Sequence, residues 1–163
     1  MASQLLVIHE RITNWARQIR PRLVGDPVRV VETRSASDLE AALAGSACPV
    51  VLLDLGRRPR AALDDLDRAL RVAPDALVLV LDPESYDGAA LLARELGATH
   101  VVSGPATPPA VAGLLGRWLP LARRRAESAG WSGSAPEPPE PEPWNWLTPL
   151  LNGTAEAPRP PRD

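Results

Sequence analysis

Lysine is absent from this chain of 163 residues, since all 18 of its basic residues are arginine. Its absence excludes Schiff-base chemistry, a phosphate-binding-loop lysine and a lysine clamp on a phosphoryl group, because arginine does not lose its proton and presents its donors differently. Phenylalanine is absent as well, and the single cysteine excludes an internal disulfide. That residue, Cys48, comes just before an apolar run and is predicted to be a small buried thiol.

Long apolar runs and an excess of charge are also missing. No run approaches the roughly 18 residues that span a bilayer, and the N-terminus lacks the pattern of a secretory signal, so we expect a cytoplasmic protein without a membrane partner. The net charge is only −2, which gives no indication of nucleic acid as a partner. With 45% hydrophobic residues, the chain is long enough for one domain and an appendage.

The most informative stretch that is present is PVVLLDLG at residues 49–56. A short apolar run without polar alternation is typical of a central parallel strand that helices cover on both faces. Asp54 then lies at the carboxyl edge of the sheet. Because ligands of open α/β sheets gather at that edge, Asp54 is the first candidate for a functional residue.

Four further apolar runs predict strands, and each run is followed by a segment with helical spacing of apolar residues. Parallel neighbours need right-handed crossovers, so five such units in about 127 residues favour a flavodoxin-like sheet of order 2-1-3-4-5 with helices on both faces. The glycine-rich dinucleotide fingerprint is missing after the first strand, which argues against a Rossmann fold. The four runs are residues 5–8, 28–31, 76–81 and 99–102.

Local signals predict details of the helices. Ser37 and Glu40 form the pattern of a capping box, and Gly97 suits a left-handed position at a helix end. After a turn at residues 57–60, the third helix should place Asp65 on its exposed side, opposite a leucine stripe. Pro120 should bend or split the last helix, because proline removes one hydrogen bond of the helix.

Four stretches carry a resemblance to a known family: the end of the first strand, LLDL at residues 52–55, the apolar residues 77–81, and VVSGP at residues 101–105. Together they resemble the receiver domain of two-component response regulators, over residues 1 to about 127. In that family an acidic pair after the first strand helps to bind magnesium, and an aspartate after the third strand accepts a phosphoryl group. A serine or threonine ending the fourth strand senses that group, and a lysine before a proline after the fifth strand holds it. The resemblance implies that Asp54 is the phosphoacceptor-like position and Glu10 the second acid.

Three positions depart from the family pattern. His9 replaces the first acid, Asp82 stands where the hydroxyl should be, and Gly104 stands where the lysine should be. A phosphoaspartate would bring about two negative charges beside Glu10 and Asp82 with neither donor to receive them. The resemblance therefore implies a degenerate receiver, or pseudo-receiver, that is not an enzyme.

Two interpretations of this edge stay open. Glu10, Asp54 and Asp82 could converge on a divalent cation such as Mg²⁺, which prefers oxygen ligands. Alternatively, three solvated carboxylates line the edge and no cofactor is bound. We expect His9 and His100 to be a packed or hydrogen-bonded residue and a surface residue, and not catalysts.

The composition changes near Ser128, beyond which lie nine of the 19 prolines. Residues 128–143 form an acidic, proline-rich linker that should be extended, and residues 152–163 a disordered end. Between them, residues 144–151 (WNWLTPLL) are strongly apolar. We predict that this segment docks into a groove on another protein. The alternatives are that it covers its own domain or a second copy in a homodimer, or that it has no ordered role. The predicted contact residues are Trp144, Trp146, Leu147, Leu150 and Leu151.

Together these features predict a receiver-like adaptor that binds protein partners through its helical faces and its C-terminal segment. The alternative is a phosphorylatable single-domain response regulator that uses Asp54. A small hydrolase or transferase is less well supported, because no nucleophile and base appear at a motif spacing.

Overall fold

The computed structural model describes residues 3–11, 14–23 and 27–132. The predicted docking segment, the predicted disordered end and most of the predicted linker lie outside this part of the chain. Its elements alternate between strands and helices as predicted. The strands are β1 (Gln4–His9), β2 (Val28–Thr33), β3 (Val50–Asp54), β4 (Leu77–Asp82) and β5 (His100–Ser103). The helices are α1 (Trp15–Ile19), α2 (Ala36–Leu43), α3 (Pro59–Val72), α4 (Ala89–Glu95) and α5 (Pro108–Ser132), with a 3₁₀ turn at Arg20–Arg22.

All five strands are parallel and form one sheet in the order β2-β1-β3-β4-β5. This is the flavodoxin-like order that the sequence predicts. Val50, Val51, Leu52 and Leu53 are each fully buried, which confirms β3 as the central strand covered on both faces.

The two faces of the sheet belong to two separate hydrophobic clusters. Leu53 packs in the cluster that α2, α3 and α4 cover, and Leu52 packs in the cluster that α1 and α5 cover. Because neighbouring residues of a strand point to opposite faces, one short apolar run supplies both clusters. Full burial of one leucine contributes roughly 1.5–3 kcal/mol, so β3 is a major source of stability.

The N-terminus of α2 differs from the prediction. The helix begins at Ala36, and Ser35 is its cap, since the Oγ of Ser35 accepts a hydrogen bond from the backbone N–H of Asp38 at 3.2 Å. Ser37, the predicted cap, lies inside the first turn. The predicted capping box is therefore wrong by two residues, because serine at either position offers the same local signal.

One glycine and one proline affect the backbone of the last two helices. Gly97 follows α4 with a φ of +109°, which confirms the predicted left-handed position. Pro120 lies inside α5, and the helix is not split there. Leu119 and Ala122 on either side are buried against the sheet, so their packing keeps the helix continuous where one hydrogen bond is missing. No helix in the described part of the chain is long and apolar enough to cross a membrane.

Candidate functional site

The carboxyl edge of the sheet brings the predicted acidic residues to one region. Asp54 ends β3 and Asp82 ends β4, and the register pairs Asp54 with Leu81 and Asp82 with Ser103. Glu10 directly follows β1, which is the other neighbour of β3. The three carboxylates therefore share this edge, as the sequence predicts.

Asp54 is partly buried, and its Oδ1 accepts a hydrogen bond from the backbone N–H of Gly56 at 3.2 Å. Burial raises the pKa of Asp54, because the charged form loses solvation. The N–H of Gly56 opposes this rise in pKa, and the negative charge of Glu10 adds to it. Ionisation of Asp54 therefore lowers the stability of the folded protein.

Glu10 is buried and supports the start of α1. Its Oε1 accepts hydrogen bonds from the backbone N–H groups of Asn14 at 3.1 Å and Ala16 at 3.0 Å, and its Oε2 accepts one from Trp15 at 2.8 Å. Asn14, at the N-cap position, makes no side-chain capping bond. Glu10 therefore acts as a helix cap from outside the helix, and satisfies three N–H groups that lack partners within it.

His9 points to a different set of partners. Its ring is only 2% exposed, with Nδ1 lying 2.9 Å from the Oγ1 of Thr33 and Nε2 lying 3.0 Å from Oδ2 of Asp65. Nη2 of Arg11 lies 3.6 Å from the same Asp65 oxygen. This buried network joins β1, β2 and α3, and it confirms that His9 is a hydrogen-bonded residue. His100 is exposed, also as predicted.

Asp65 is the residue of this network for which the sequence prediction is wrong. The leucine stripe predicts it on the exposed side of α3, yet it is only 6% exposed. It lies three residues after Ala62 and four before Ala69, both of which are buried, so its position on the helix is a signal of burial. Its Oδ2 lies 3.0 Å from Nε2 of His9, so the buried carboxylate has a hydrogen-bond partner.

Asp82 is buried as well, with an exposed fraction of 1%. Its Oδ1 accepts a hydrogen bond from the backbone N–H of Tyr86 at 3.1 Å, and its Oδ2 has no hydrogen-bond partner among the described residues. The interpretation of three solvated carboxylates is therefore wrong for Asp82 and for Glu10. Tyr86 also donates from its hydroxyl to the carbonyl oxygen of Gly56 at 3.1 Å, and so links the loops after β4 and β3.

Gly104, which stands at the lysine position of the resembling family, has a φ of +86°. This left-handed conformation favours glycine and strains residues with side chains. Its backbone N–H donates to the carbonyl oxygen of Asp82 at 2.8 Å, which fixes the loop after β5 to the end of β4. The backbone conformation at residue 104 therefore favours glycine.

A cavity of about 380 Å³ opens beside Asp54. Three arginines line it, Arg11 from the loop after β1 and Arg57 and Arg58 from the turn before α3, together with Leu55 and Gly56. The sequence pattern predicts only a turn at residues 57–60, although two arginines directly after a candidate aspartate and glycine are a usable signal. Positive charge therefore lies next to the predicted acids of this edge.

The remaining predictions concern metal ligands and the tail. Within the described ranges, no group of three or more His, Cys, Asp or Glu side chains is arranged to hold a metal ion. The five predicted contact residues of the docking segment lie beyond residue 132 and are outside the described part of the chain.

Comparison with known proteins identifies the fold. No protein-family model and no curated protein sequence matches the chain. Among solved structures, a response regulator from Thermotoga maritima has a TM-score of 0.61 at 13% identity, over 73% of this chain and 99% of that one. A CheY-like receiver domain protein from Methanospirillum hungatei has a TM-score of 0.61 at 14% identity, over 76% of this chain and 98% of that one.

A third similar structure is a response regulator from Burkholderia pseudomallei, solved with a phosphorylated aspartic acid, a calcium ion and citrate. Its TM-score is 0.53 at 17% identity, and the match covers 81% of this chain and 74% of that one. The fold of the described domain is thus that of CheY-like receiver domains, as the resemblance in sequence indicates.

Proposed function

We propose that this protein is a non-catalytic pseudo-receiver that works as a cytoplasmic adaptor in signal transduction. The observation that carries the proposal is the use of Glu10 as the cap of α1, with three backbone N–H groups bound to its carboxylate. A receiver needs this acid for magnesium, and here it supports a helix. His9, in place of the first acid, is bound to Thr33 and Asp65.

The other two departures support the same proposal. Asp82 is a buried acid where the family has a hydroxyl, and Gly104 has a backbone conformation that disfavours lysine. A phosphoryl group on Asp54 would therefore meet neither of the two donors that read it in the family. We infer that Asp54 serves in its unmodified form.

Magnesium is disfavoured by the same contacts. The carboxylate of Glu10 would have to give up hydrogen bonds that hold α1 before it could bind a cation fully. Arg11, Arg57 and Arg58 line the cavity beside Asp54 and would repel a divalent ion there. We therefore propose that the protein works without a cofactor.

We propose that residues 144–151 bind the partner. Two tryptophans and three leucines in eight residues form the kind of aromatic anchor that dominates protein interfaces. A proline-rich composition favours an extended chain, and we propose on this ground that the preceding residues act as a spacer. We propose a different protein as the partner, with a second copy of this chain as the alternative.

One observation favours a phosphorylatable response regulator as a second candidate. The three arginines beside Asp54 could compensate part of the charge that a phosphoryl group brings. The adaptor proposal is preferred because charge compensation alone does not replace the metal and the two missing donors.

A pull-down experiment tests the adaptor proposal. Full-length protein and a version ending at Glu127 are compared as baits, each with and without acetyl phosphate and Mg²⁺. We expect one partner, identified by mass spectrometry, to be retained by the full-length bait only and equally under both conditions. Retention by the shortened bait would contradict the role of the tail, and retention that depends on acetyl phosphate would favour the second candidate.

A further inference from the structure

A groove of about 810 Å³ lies between α3 and α4. Its lining includes Leu63 and Ala89, which are buried, and Leu96, which is half-buried. Leu92 of α4 also lines the groove, and 44% of its surface is exposed. The groove therefore offers apolar side chains that the described part of the chain leaves uncovered, and such grooves between helices are typical binding sites.

The groove follows α3 for about three turns. Its lining residues on the body of α3 recur at helical spacing: Arg60, Leu63, Asp64, Asp67 and Arg71. At 1.5 Å per residue, this stretch of helix is about 17 Å long. On the other side, Leu92 and Leu96 are four positions apart. A groove of this length between two helices accepts the ridge of side chains on a third helix of about three turns.

The groove carries a small negative charge. Two arginines and three aspartates line it: Arg60, Arg71, Asp64, Asp67 and Asp87. Asp67 and Arg71 neutralise each other, since Oδ2 of the aspartate lies 2.5 Å from Nη2 of the arginine. Arg60 offsets one of the two other acids, so one negative charge remains.

Other charges on the same elements leave this balance unchanged. Two arginines and two glutamates lie on α3, on α4 or in the loop before α4 without lining the groove: Arg68, Arg94, Glu84 and Glu95. Their charges cancel.

Asp64 and Asp87 are available to a partner. Both are exposed, and within the described residues neither carboxylate has a hydrogen-bond or ion-pair partner. Asp64 lies on α3, and Asp87 lies on the other side, just before α4. Space is open beside Asp87, because Gly88 has no side chain and no atom lies within 4 Å of where one would begin. A basic side chain on either flank of a bound helix would therefore meet a carboxylate.

We propose that this groove binds an amphipathic helix of a partner protein, with leucine-like side chains in the groove and arginine or lysine facing Asp64 and Asp87. The inference deepens the proposed adaptor function, because it names a helical face that binds a partner and the chemistry which that face accepts. Residues 144–151 contain no charged residue, so they are a poorer match to the acids of the groove.

Fluorescence anisotropy of the full-length protein with a labelled synthetic peptide tests this inference. The probe is an amphipathic helix of about 14 residues, with leucine at every third or fourth position and arginine on both flanks. We expect saturable binding of one peptide, about tenfold or more tighter than that of the same peptide with glutamate in place of arginine. This preference should shrink as salt is added, because salt screens exposed charges.

Two neighbouring leucines of α4 provide a matched pair of variants. Leu92→Ser should weaken binding about tenfold or more, because it removes an apolar contact in the groove. Leu91→Ser should leave binding unchanged, since Leu91 is 62% exposed on the same helix and does not line the groove. Melting temperatures check the folding of both variants, and Leu92→Ala replaces Leu92→Ser if that variant melts lower.

The acids provide a second matched pair of variants. Asp64→Asn with Asp87→Asn should weaken binding of the arginine peptide about threefold or more. Glu84→Gln with Glu95→Gln removes the same number of negative charges outside the groove and should leave binding unchanged.

Absence of binding to the wild type, equal affinity for the glutamate peptide, or an equal loss in Leu91→Ser would each overturn the proposal. Displacement of the probe by a synthetic peptide of residues 144–151 would assign the groove to that segment. A dimer in sedimentation analysis that Leu92→Ser abolishes would assign it to a second copy of this chain, and either assignment would also overturn the proposal. Only purified components are used, so failure here is distinct from failure of the pull-down that tests the adaptor function.

Discussion

Glu10 and His9, adjacent at the end of β1, make contacts in different directions. Glu10 holds the first turn of α1, and His9 holds Thr33 of β2 and Asp65 of α3. A residue pair that serves magnesium in the resembling family thus serves the fold in this chain. At this scale, the contacts of both side chains lie within the fold of the domain.

Because Asp65 belongs to the buried network and Asp64 does not, we predict that substituting these two adjacent acids of α3 changes the free energy of unfolding by very different amounts. Asp65→Ala should lower the free energy of unfolding by about 2 kcal/mol or more, because His9 would lose the partner of its Nε2 inside the protein. Asp64→Ala, on the exposed side of the same helix, should leave it nearly unchanged. Urea denaturation of both variants checks this, and equal effects would contradict the role of the network.

We predict that the effect of Asp54 on the stability of the protein depends on pH. Its pKa is raised above the ordinary value of 3.8 mainly by burial, so the folded protein binds this proton more tightly than the unfolded chain does. Between 3.8 and the raised pKa, stability contributed by this group falls as the pH rises. Asp54→Asn should therefore be more stable than the wild type near pH 7, and this advantage should disappear as the pH falls through the raised pKa.

Melting curves of wild type and Asp54→Asn across this pH range provide the measurement. Asn keeps the oxygen that accepts the N–H of Gly56, so the local turn is preserved. Asp87→Asn, in the exposed loop after β4, is the control. An Asp54→Asn protein that is less stable near pH 7 would show that the ionised carboxylate is a structural acceptor.

At the scale of whole elements, the strands were predictable because their pattern has a single physical cause. Residues 50–53 are apolar without alternation, and both faces of β3 are buried. The helix ends were less predictable, since Ser35 and Ser37 both offer a serine at the start of α2, and Ser35 is the one that caps it. Asp65 lies on the buried side of α3, and its partner His9 is 56 residues away in the chain, which no local pattern reveals.

We predict that truncating a leucine on either face of β3 lowers the free energy of unfolding by a similar amount. Leu52→Ala and Leu53→Ala should each lower the free energy of unfolding by about 2–5 kcal/mol, because each leaves a cavity in a different cluster. Leu121→Ala on α5, where the side chain is 43% exposed, should cost much less. Denaturant unfolding of the three variants measures this, and a small effect of either β3 variant would contradict the assignment of two covered faces.

For the molecule as a whole, the acids of the site were predictable and their surroundings were not. Asp54, Glu10 and Asp82 follow apolar strands, and parallel strands end at a common edge. The burial of Asp82 and the helix-capping role of Glu10 depend on how loops fold over that edge. Arg11 and the turn arginines meet at one cavity only because β1 and β3 are neighbours in the sheet.

We predict that substitutions in residues 144–151 weaken partner binding and leave the stability of the domain nearly unchanged. Residues 144–151 follow about a dozen proline-rich residues, which in polyproline geometry would span at most roughly 35 Å, at about 3 Å per residue. Trp144→Ala with Trp146→Ala should leave the melting temperature nearly unchanged and weaken partner capture by about 2 kcal/mol or more. If the double variant melts several degrees lower as a monomer, the segment is part of the fold and the docking proposal is wrong.

The central claim, that a receiver fold serves here without phosphotransfer, is tested most directly by intact-mass analysis after incubation with acetyl phosphate and Mg²⁺. We predict no covalent adduct on the wild-type protein, because Glu10 supports α1, Asp82 replaces the hydroxyl and Gly104 replaces the lysine. A stoichiometric phosphoryl adduct that is lost in Asp54→Ala would contradict the claim.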